Sequence, residues 1–325
     1  MKPFAAKILY LLITCVSICS CSEIKTKKKI HYHHVTDQPF DPASLQDSKE
    51  REIYEKSSAF YHHHFRSSPI NGGFLVAKYG KILFEKYNGS LHLRTKDTIG
   101  MHTPMHIAST SKTFTAMAIL YLAQQKKLDI NDSLQKYFPA FPYQGITIKM
   151  LLNHRSGLAN YMNVIDPKNW KDNKKVQNRD VLDFFIAQQP PMQGSPGRQF
   201  TYCNTNYVLL ALIIEKVSGK KYDQYLKEIF FDPLEMKNTV ACNSSYQKEH
   251  APSYRWNGME EGMTFLDDTY GDKNICSTPR DLLRWDQALY SKDLFTQAIL
   301  DSAYMPYSLE KPGTHNYGLG WRMHL

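Results

Sequence analysis

The sequence contains no Cys-x-x-Cys pair, no Gly-x-Ser-x-Gly, no internal repeat and no low-complexity tract. These absences exclude a thioredoxin-type redox motif or zinc ribbon, the nucleophile elbow of α/β hydrolases and a solenoid. Glycine and proline, at 16 each in 325 residues, carry no compositional bias. No basic array interleaved with aromatics occurs, so nucleic acid is not an expected partner. The net charge of +9 is also less than it looks. Lys2 and Lys7 fall in a segment expected to be removed, and Lys25, Lys27, Lys28 and Lys29 in a tether, so the remainder is only mildly basic. A basic tether would favour anionic head groups, although a solvated linker is the simpler reading and the preferred one. Hydrophobic residues make up 42%, enough for a sizeable core in one large domain or two ordinary ones.

Histidine clusters at His31/His33/His34 and at His62-His63-His64. Zinc ligands must converge from suitable spacings, whereas consecutive histidines on a helix diverge. No metal is expected from them.

The apolar run Ile8–Ile18 follows a lysine-bearing start and is too short to span a bilayer comfortably. That is the layout of a secretory signal peptide. Its end, Ile18-Cys19-Ser20-Cys21, resembles a bacterial lipobox, which implies lipidation at Cys21 and anchoring at the cell envelope. An ordinary cleaved signal peptide is the alternative. The expected division is 1–20 signal peptide, 21–45 tether and 46–325 folded domain. Cys203, Cys242 and Cys276 then remain, an odd number from which no disulfide framework can be read; buried thiols, with one pair oxidised as an option, are expected.

From Leu45 to Phe65 a helix is expected, closed by Pro69. Phe74–Lys78 and Lys81–Tyr87 flank Tyr79-Gly80 as a strand, turn and strand. Ile146–Ile148 leads into a short helix that ends at Asn153-His154-Arg155-Ser156-Gly157-Leu158. Residues 165–180 look like a loop, and Val181–Ala187 like one or two helical turns. Asn206–Glu215 is a buried helix stopped by Gly219. Tyr222–Phe231 is an amphipathic helix ended by Pro233. Ser277 or Thr278 caps a helix with Pro279 in its first turn. Tyr317–Trp321 reads as the start of a strand.

One stretch organises the rest: Met105-His106-Ile107-Ala108-Ser109-Thr110-Ser111-Lys112 followed by an apolar helical run. Ser-x-x-Lys alone is common; it starts at Ser22, Ser109, Ser133, Ser218, Ser245 and Ser308, but only Ser109 is followed by a buried helix. Residues three apart share a helix face. A serine at a helix start meets free N–H groups and the positive dipole end. A buried ammonium one turn on sheds its proton readily, because desolvation disfavours the charged form. These residues describe a nucleophilic serine with an activating lysine. Tyr161-Met162-Asn163 and Tyr202-Cys203-Asn204 compete as a Tyr-x-Asn motif; the second opens a buried helix after a Pro/Gly loop.

Ser109-Thr110-Ser111-Lys112, Leu151–Leu158, Phe200–Tyr207 and Gly271-Asp272 with Ser277-Thr278 together resemble the serine β-lactamase/penicillin-binding family, in its class C and D-alanyl-D-alanine carboxypeptidase-like branch. The resemblance runs from about residue 68 to 325. It implies an α/β (α+β) fold: an antiparallel sheet flanked by helices, with a mostly helical subdomain. By motif match it implies Ser109 as nucleophile forming an acyl-enzyme, Lys112 as proton acceptor or relay, and Tyr202 as general acid and base. Asn204 would bond the substrate's amide side chain and Lys112. His154 and Ser156-Gly157 would fix a loop beside the site, and His106 would serve packing. No cofactor and no metal are implied, and the substrate is an amide, peptide or ester, small or peptidoglycan-like.

The family's third motif, Lys-Thr-Gly or His-x-Gly after the Tyr-Gly-Leu-Gly-Trp segment, has no match; Lys311-Pro312-Gly313 precedes Tyr317 and suits a turn. The closing strands that would cover the Phe74–Tyr87 hairpin are likewise expected to be missing, which leaves an exposed edge. A non-catalytic binding protein or inactive fragment is therefore the alternative to a hydrolase.

Overall fold

In the computed structural model the described residues are 34–66, 70–91, 97–168, 170, 174–242, 250–310, 313 and 315–324. The expected signal peptide, Cys21, most of the tether and His31 and His33 lie outside them. Among the described residues no helix is long and apolar enough to cross a membrane.

Helix α1 (Ser48–Phe65) starts at Asp47, whose carboxylate accepts from the N–H groups of Lys49 and Glu50. It lies on the hairpin of β1 (Gly72–Lys78) and β2 (Lys81–Asn88). Alternation in the hairpin puts Phe74 and Phe84 toward Tyr61, with ring centroids 5.7 Å apart in both pairs. The opposite tie is ionic. The Arg280 guanidinium meets the Glu85 carboxylate at 2.6 Å, both side chains almost wholly buried, and it also donates to the Thr36 carbonyl.

β3 (Met105–His106) leads through a 3-10 turn at Ala108–Thr110 into α2 (Ser111–Gln124), buried on nearly all faces. The helix begins two residues after the expected start, so Ser109 stands in the turn before it. Three short helices follow, α3 (Leu134–Tyr137), α4 (Ile148–Leu152) and α5 (Tyr161–Val164). Helix α6 (Asn178–Gln188) is longer than expected, because the Gln177 N–H donates to Asp180 and buried Asn178 donates to the Val208 and Tyr270 carbonyls. α7 (Asn204–Ser218), packed against α2, ends at Gly219, whose φ of 70° suits the left-handed cap.

The expected helix at Tyr222–Phe231 is split. α8 (Tyr222–Leu226) passes into a π-type turn over Lys227–Phe231, and this wider turn buries the adjacent rings of Phe230 and Phe231. Strands β4 (Val240–Ala241) and β5 (Ile275–Ser277) make a small antiparallel sheet in the order β3-β5-β4. α9 (Pro279–Tyr290) is capped by Thr278, and α10 (Gln297–Tyr304) covers α2.

The chain closes on the hairpin of β6 (His315–Tyr317) and β7 (Arg322–His324). Tyr317 thus ends a strand, and 318–321 turn, with the Gly318 N–H donating to the Trp321 carbonyl at 2.8 Å. Gly320 explains the turn: at φ 94° a Cβ there would lie 2.3 Å from the Ala116 Cβ, so only glycine lets the turn lie on α2. The fold is α/β with antiparallel strands and flanking helices, as expected, but the described strands form three separate sets, β1-β2, β3-β5-β4 and β6-β7.

Cys242 and Cys276 form a disulfide across β4 and β5, and Cys203 is a buried free thiol. The bridge closes a loop with a sequence separation of 34. Loop entropy alone then assigns it about 3–4 kcal/mol. The double variant Cys242→Ser/Cys276→Ser is expected to lose about that much in urea unfolding; an unchanged midpoint would refute the role.

Candidate active site

The turn bearing Ser109 is held from both sides. The Ile107 N–H donates to the Ile275 carbonyl at 3.0 Å, and the Ile275 N–H donates to Ser111 Oγ at 3.0 Å. Between these anchors Ala108 adopts φ 46°, a left-handed conformation that costs a non-glycine residue about 1–3 kcal/mol. Ser109 is exposed at the tip of this turn.

Lys112, only 1% exposed, reaches back from the first turn of α2. Its Nζ donates to Ser109 Oγ at 3.1 Å and to the Asp272 backbone carbonyl at 2.6 Å. It also stands 5.1 Å from the Tyr202 ring centroid and 5.6 Å from that of Tyr207. Both polar partners are uncharged. The Asp272 carboxylate turns away, its Oδ2 accepting from the Tyr161 hydroxyl at 3.0 Å while buried Oδ1 has no partner among the described residues. Burial pushes this carboxyl above the usual range, against the pull of the Lys112 and Lys273 charges. Tyr161, of the competing Tyr-x-Asn motif, is thereby a buried prop behind the lysine's acceptor.

Tyr202 precedes α7 and is half-buried. Its ring packs on His154, centroids 4.3 Å apart. The Cys203 N–H donates to His154 Nδ1 at 3.1 Å, which fixes the neutral Nε2–H tautomer. Burial, aided by the Lys112 charge, holds this imidazole well below the ordinary histidine range. The Thr201 N–H donates to the His154 carbonyl at 2.8 Å, so the His154 loop and the Tyr202 segment are joined at three points. His106 is similarly committed: Nδ1 accepts from the Ala108 N–H at 3.3 Å, and Nε2 meets Asn274 Oδ1 at 2.9 Å.

Asn204 departs from expectation. It makes no hydrogen bond to Lys112: its Nδ2 donates to Met162 Sδ at 2.9 Å, and its buried Oδ1 has no partner among the described residues. The Asp272 carbonyl takes the place at the ammonium that Asn204 was expected to fill. Two further residues had no role assigned from the sequence. Asp272, quoted there with the family's motifs, contributes through its backbone carbonyl and not through its side chain. Arg322 on β7 lays its guanidinium over the Tyr202 ring, 5.4 Å from the centroid, and pairs with no carboxylate among the described residues. Only the turn at Gly320 brings it there. Among the described residues the one group of side chains placed as metal ligands could be is Cys242, His250 and Cys276.

The family model described as Beta-lactamase matches residues 69–325. The chain belongs to the beta-lactamase family. Penicillin-binding protein 4* of Bacillus subtilis (strain 168) is 35% identical over 268 residues, covering 78% of this chain and 59% of that protein. A penicillin-binding protein from Bacillus halodurans superposes with a TM-score of 0.69 at 25% identity, over 82% of this chain and 83% of the other. D-amino acid amidase from Ochrobactrum anthropi SV3 shares the fold, with a TM-score of 0.67 at 22% identity, over 86% and 81% of the two chains. This beta-lactamase-family chain spans roughly half the length of the curated relatives it matches, 59% and 51% of the first two.

Proposed function

We propose that this chain is a serine hydrolase that acts by acyl transfer, with Ser109 as nucleophile. The observation that carries the reading is the 3.1 Å hydrogen bond from buried Lys112 Nζ to Ser109 Oγ, with a neutral carbonyl as the lysine's other partner. No carboxylate is hydrogen-bonded to Lys112 among the described residues. In the step that forms the acyl-enzyme Lys112 acts as the neutral amine: its ammonium proton has gone to solvent, the Ser109 O–H donates to the Nζ lone pair, and the serine proton passes to Nζ as Oγ attacks the substrate carbonyl. The N–H groups at the start of α2 favour the negative charge that develops on the carbonyl oxygen. Tyr202, beside Lys112, passes the proton to the leaving group, and water then releases the acyl group. Asn204, whose buried Oδ1 has no partner among the described residues, receives an N–H of the substrate's amide side chain as its side chain turns into the site.

Arg322 supports substrates that carry a carboxylate near the scissile bond. Arg322→Gln is expected to raise KM about fivefold for a carboxylate-bearing amide and to leave a neutral ester within about twofold, since an exposed guanidinium–carboxylate contact contributes up to about 1 kcal/mol. Equal effects on both substrates would remove this role. The substrate class matches peptidoglycan-like amides, small peptides or esters at the cell envelope, where lipid at Cys21 would anchor the protein. Cys21→Ala protein that still fractionates with membranes would refute the anchor.

The deciding experiment is intact-mass analysis after incubation with a fluorescent penicillin or a fluorophosphonate. One covalent adduct per chain, with turnover of an ester or D-amino-acid amide, is expected. A chain that neither labels nor hydrolyses would be a binding protein instead.

A further inference from the structure

The cluster at the β4–β5 junction has no part in the hydrolase reading. A ring nitrogen of His250 and the sulfurs of Cys242 and Cys276 all lie within 4.8 Å of one another. In the oxidised chain the sulfurs are bonded to each other, with their Cα atoms 5.8 Å apart. His250 has one ring nitrogen free to ligate. Its Nδ1 lies 3.1 Å from the Ala251 carbonyl, which can only accept, so Nδ1 carries the proton and Nε2 keeps its lone pair. Donation of one ring N–H to a backbone carbonyl is the usual outer contact of a metal-bound histidine. His106, by contrast, has both nitrogens occupied.

A cavity of about 290 Å³ opens beside the cluster, and Cys242, His250, Glu260 and Asp267 are among its walls. It gives solvent a route to Cys242, and the exposed Glu260 on its wall favours the entry of a cation.

The geometry points to a second state of this junction: on reduction, Cys242, Cys276 and His250 bind one zinc ion, with water completing a tetrahedron. A dithiol or phosphine supplies the two electrons. With a dithiol, the disulfide becomes two cysteine thiols and the reductant becomes its cyclic disulfide. Zinc then displaces one proton from each thiol and accepts the imidazole lone pair. Zn–S bonds of about 2.3 Å set the sulfurs about 3.8 Å apart in a tetrahedral site. That is a separation side-chain rotation can reach while the strands stay paired. Two soft thiolates and an imidazole suit zinc over calcium or magnesium.

The consequence is a crosslink that survives either redox state. β5 carries Ile275, which anchors the Ser109 turn on both sides, and follows Asp272, whose carbonyl receives Lys112. Disulfide in an oxidising compartment and zinc in a reducing one would hold the same segment in place.

The test uses the full chain, reduced with a phosphine under anaerobic conditions and titrated with Co²⁺, which reports thiolate ligation by a charge-transfer band. One equivalent is expected to bind, and Zn²⁺ to bleach the band. The oxidised protein and Cys276→Ser are expected to give none, although the latter keeps every other cysteine of the chain. His250→Ala leaves both thiols and the disulfide intact and is expected to weaken binding about tenfold or more. Circular dichroism of oxidised His250→Ala checks its fold. No band in the reduced wild type, a band that persists in Cys276→Ser, or equal affinity in His250→Ala would each overturn the proposal. The readout does not depend on Ser109, so its failure leaves the hydrolase reading untouched.

Discussion

Ser109→Ala is expected to eliminate covalent labelling by penicillin or fluorophosphonate and to lower kcat by about 10⁴–10⁶-fold, the range seen when a nucleophile is removed from a group that acts as a unit. The substitution is well suited to the question. Ser109 is exposed and its turn is fixed by backbone contacts of Ile107 and by Ser111, so the fold does not depend on its hydroxyl. Lys112 loses one acceptor but keeps the Asp272 carbonyl at 2.6 Å. Unfolding midpoints should therefore move little while turnover collapses. Substrate binding through Asn204 and Arg322 should persist, so the variant ought to retain ligand affinity without chemistry. Labelling of the alanine variant at the wild-type rate would show that another residue is modified, and would end the case for Ser109.

Lys112→Met comes next in size. Methionine matches the lysine stem in length and shape but cannot accept a proton, and loss of a positioned base typically costs about 10²–10⁴-fold. The effect belongs in the acylation step, so single-turnover labelling should slow by the same factor as kcat/KM. Its stability consequences oppose one another. Removing a buried ammonium relieves desolvation, whereas the Asp272 carbonyl loses its donor, at about 1–3 kcal/mol. Asp272 supplies a further readout. The Lys112 charge pulls its carboxyl down against burial, so removing that charge should raise the carboxyl further. Lys112→Arg is not expected to rescue activity, because a guanidinium stays charged and is too broad for the space between Ser109 and Asp272. Acylation of Lys112→Met at the wild-type rate would exclude the lysine as base.

Local chemistry was legible wherever a pattern lies within one element. The hairpin of Phe74–Lys78 and Lys81–Tyr87 declares itself by alternation around Tyr79-Gly80, and the two buried helices by apolar density with Gly219 as a stop. Ser109 stood out from five other Ser-x-x-Lys occurrences because only its helix is buried. Patterns that depend on distant backbone were misread. Tyr317–Trp321 has strand composition, but the approach of Gly320 to Ala116 makes it a turn. The helix after Tyr222 widens because Phe230 and Phe231, adjacent in sequence, both need the core. Asn204 was expected on the lysine, yet a carbonyl 160 residues away in the chain from Lys112 occupies that position.

By itself the sequence determined the family, the two buried helices and the identity of the candidate nucleophile and its lysine, because each is written in side-chain types at short, fixed spacings. Only the tertiary structure decided what surrounds them. The neutral Asp272 carbonyl on Lys112, the His154 ring under Tyr202, the Arg322 guanidinium above it and the Cys242–Cys276 bridge with His250 beside it all join segments far apart in the chain. Such contacts are fixed by packing and by backbone groups that every residue carries, so no local pattern of side chains can announce them.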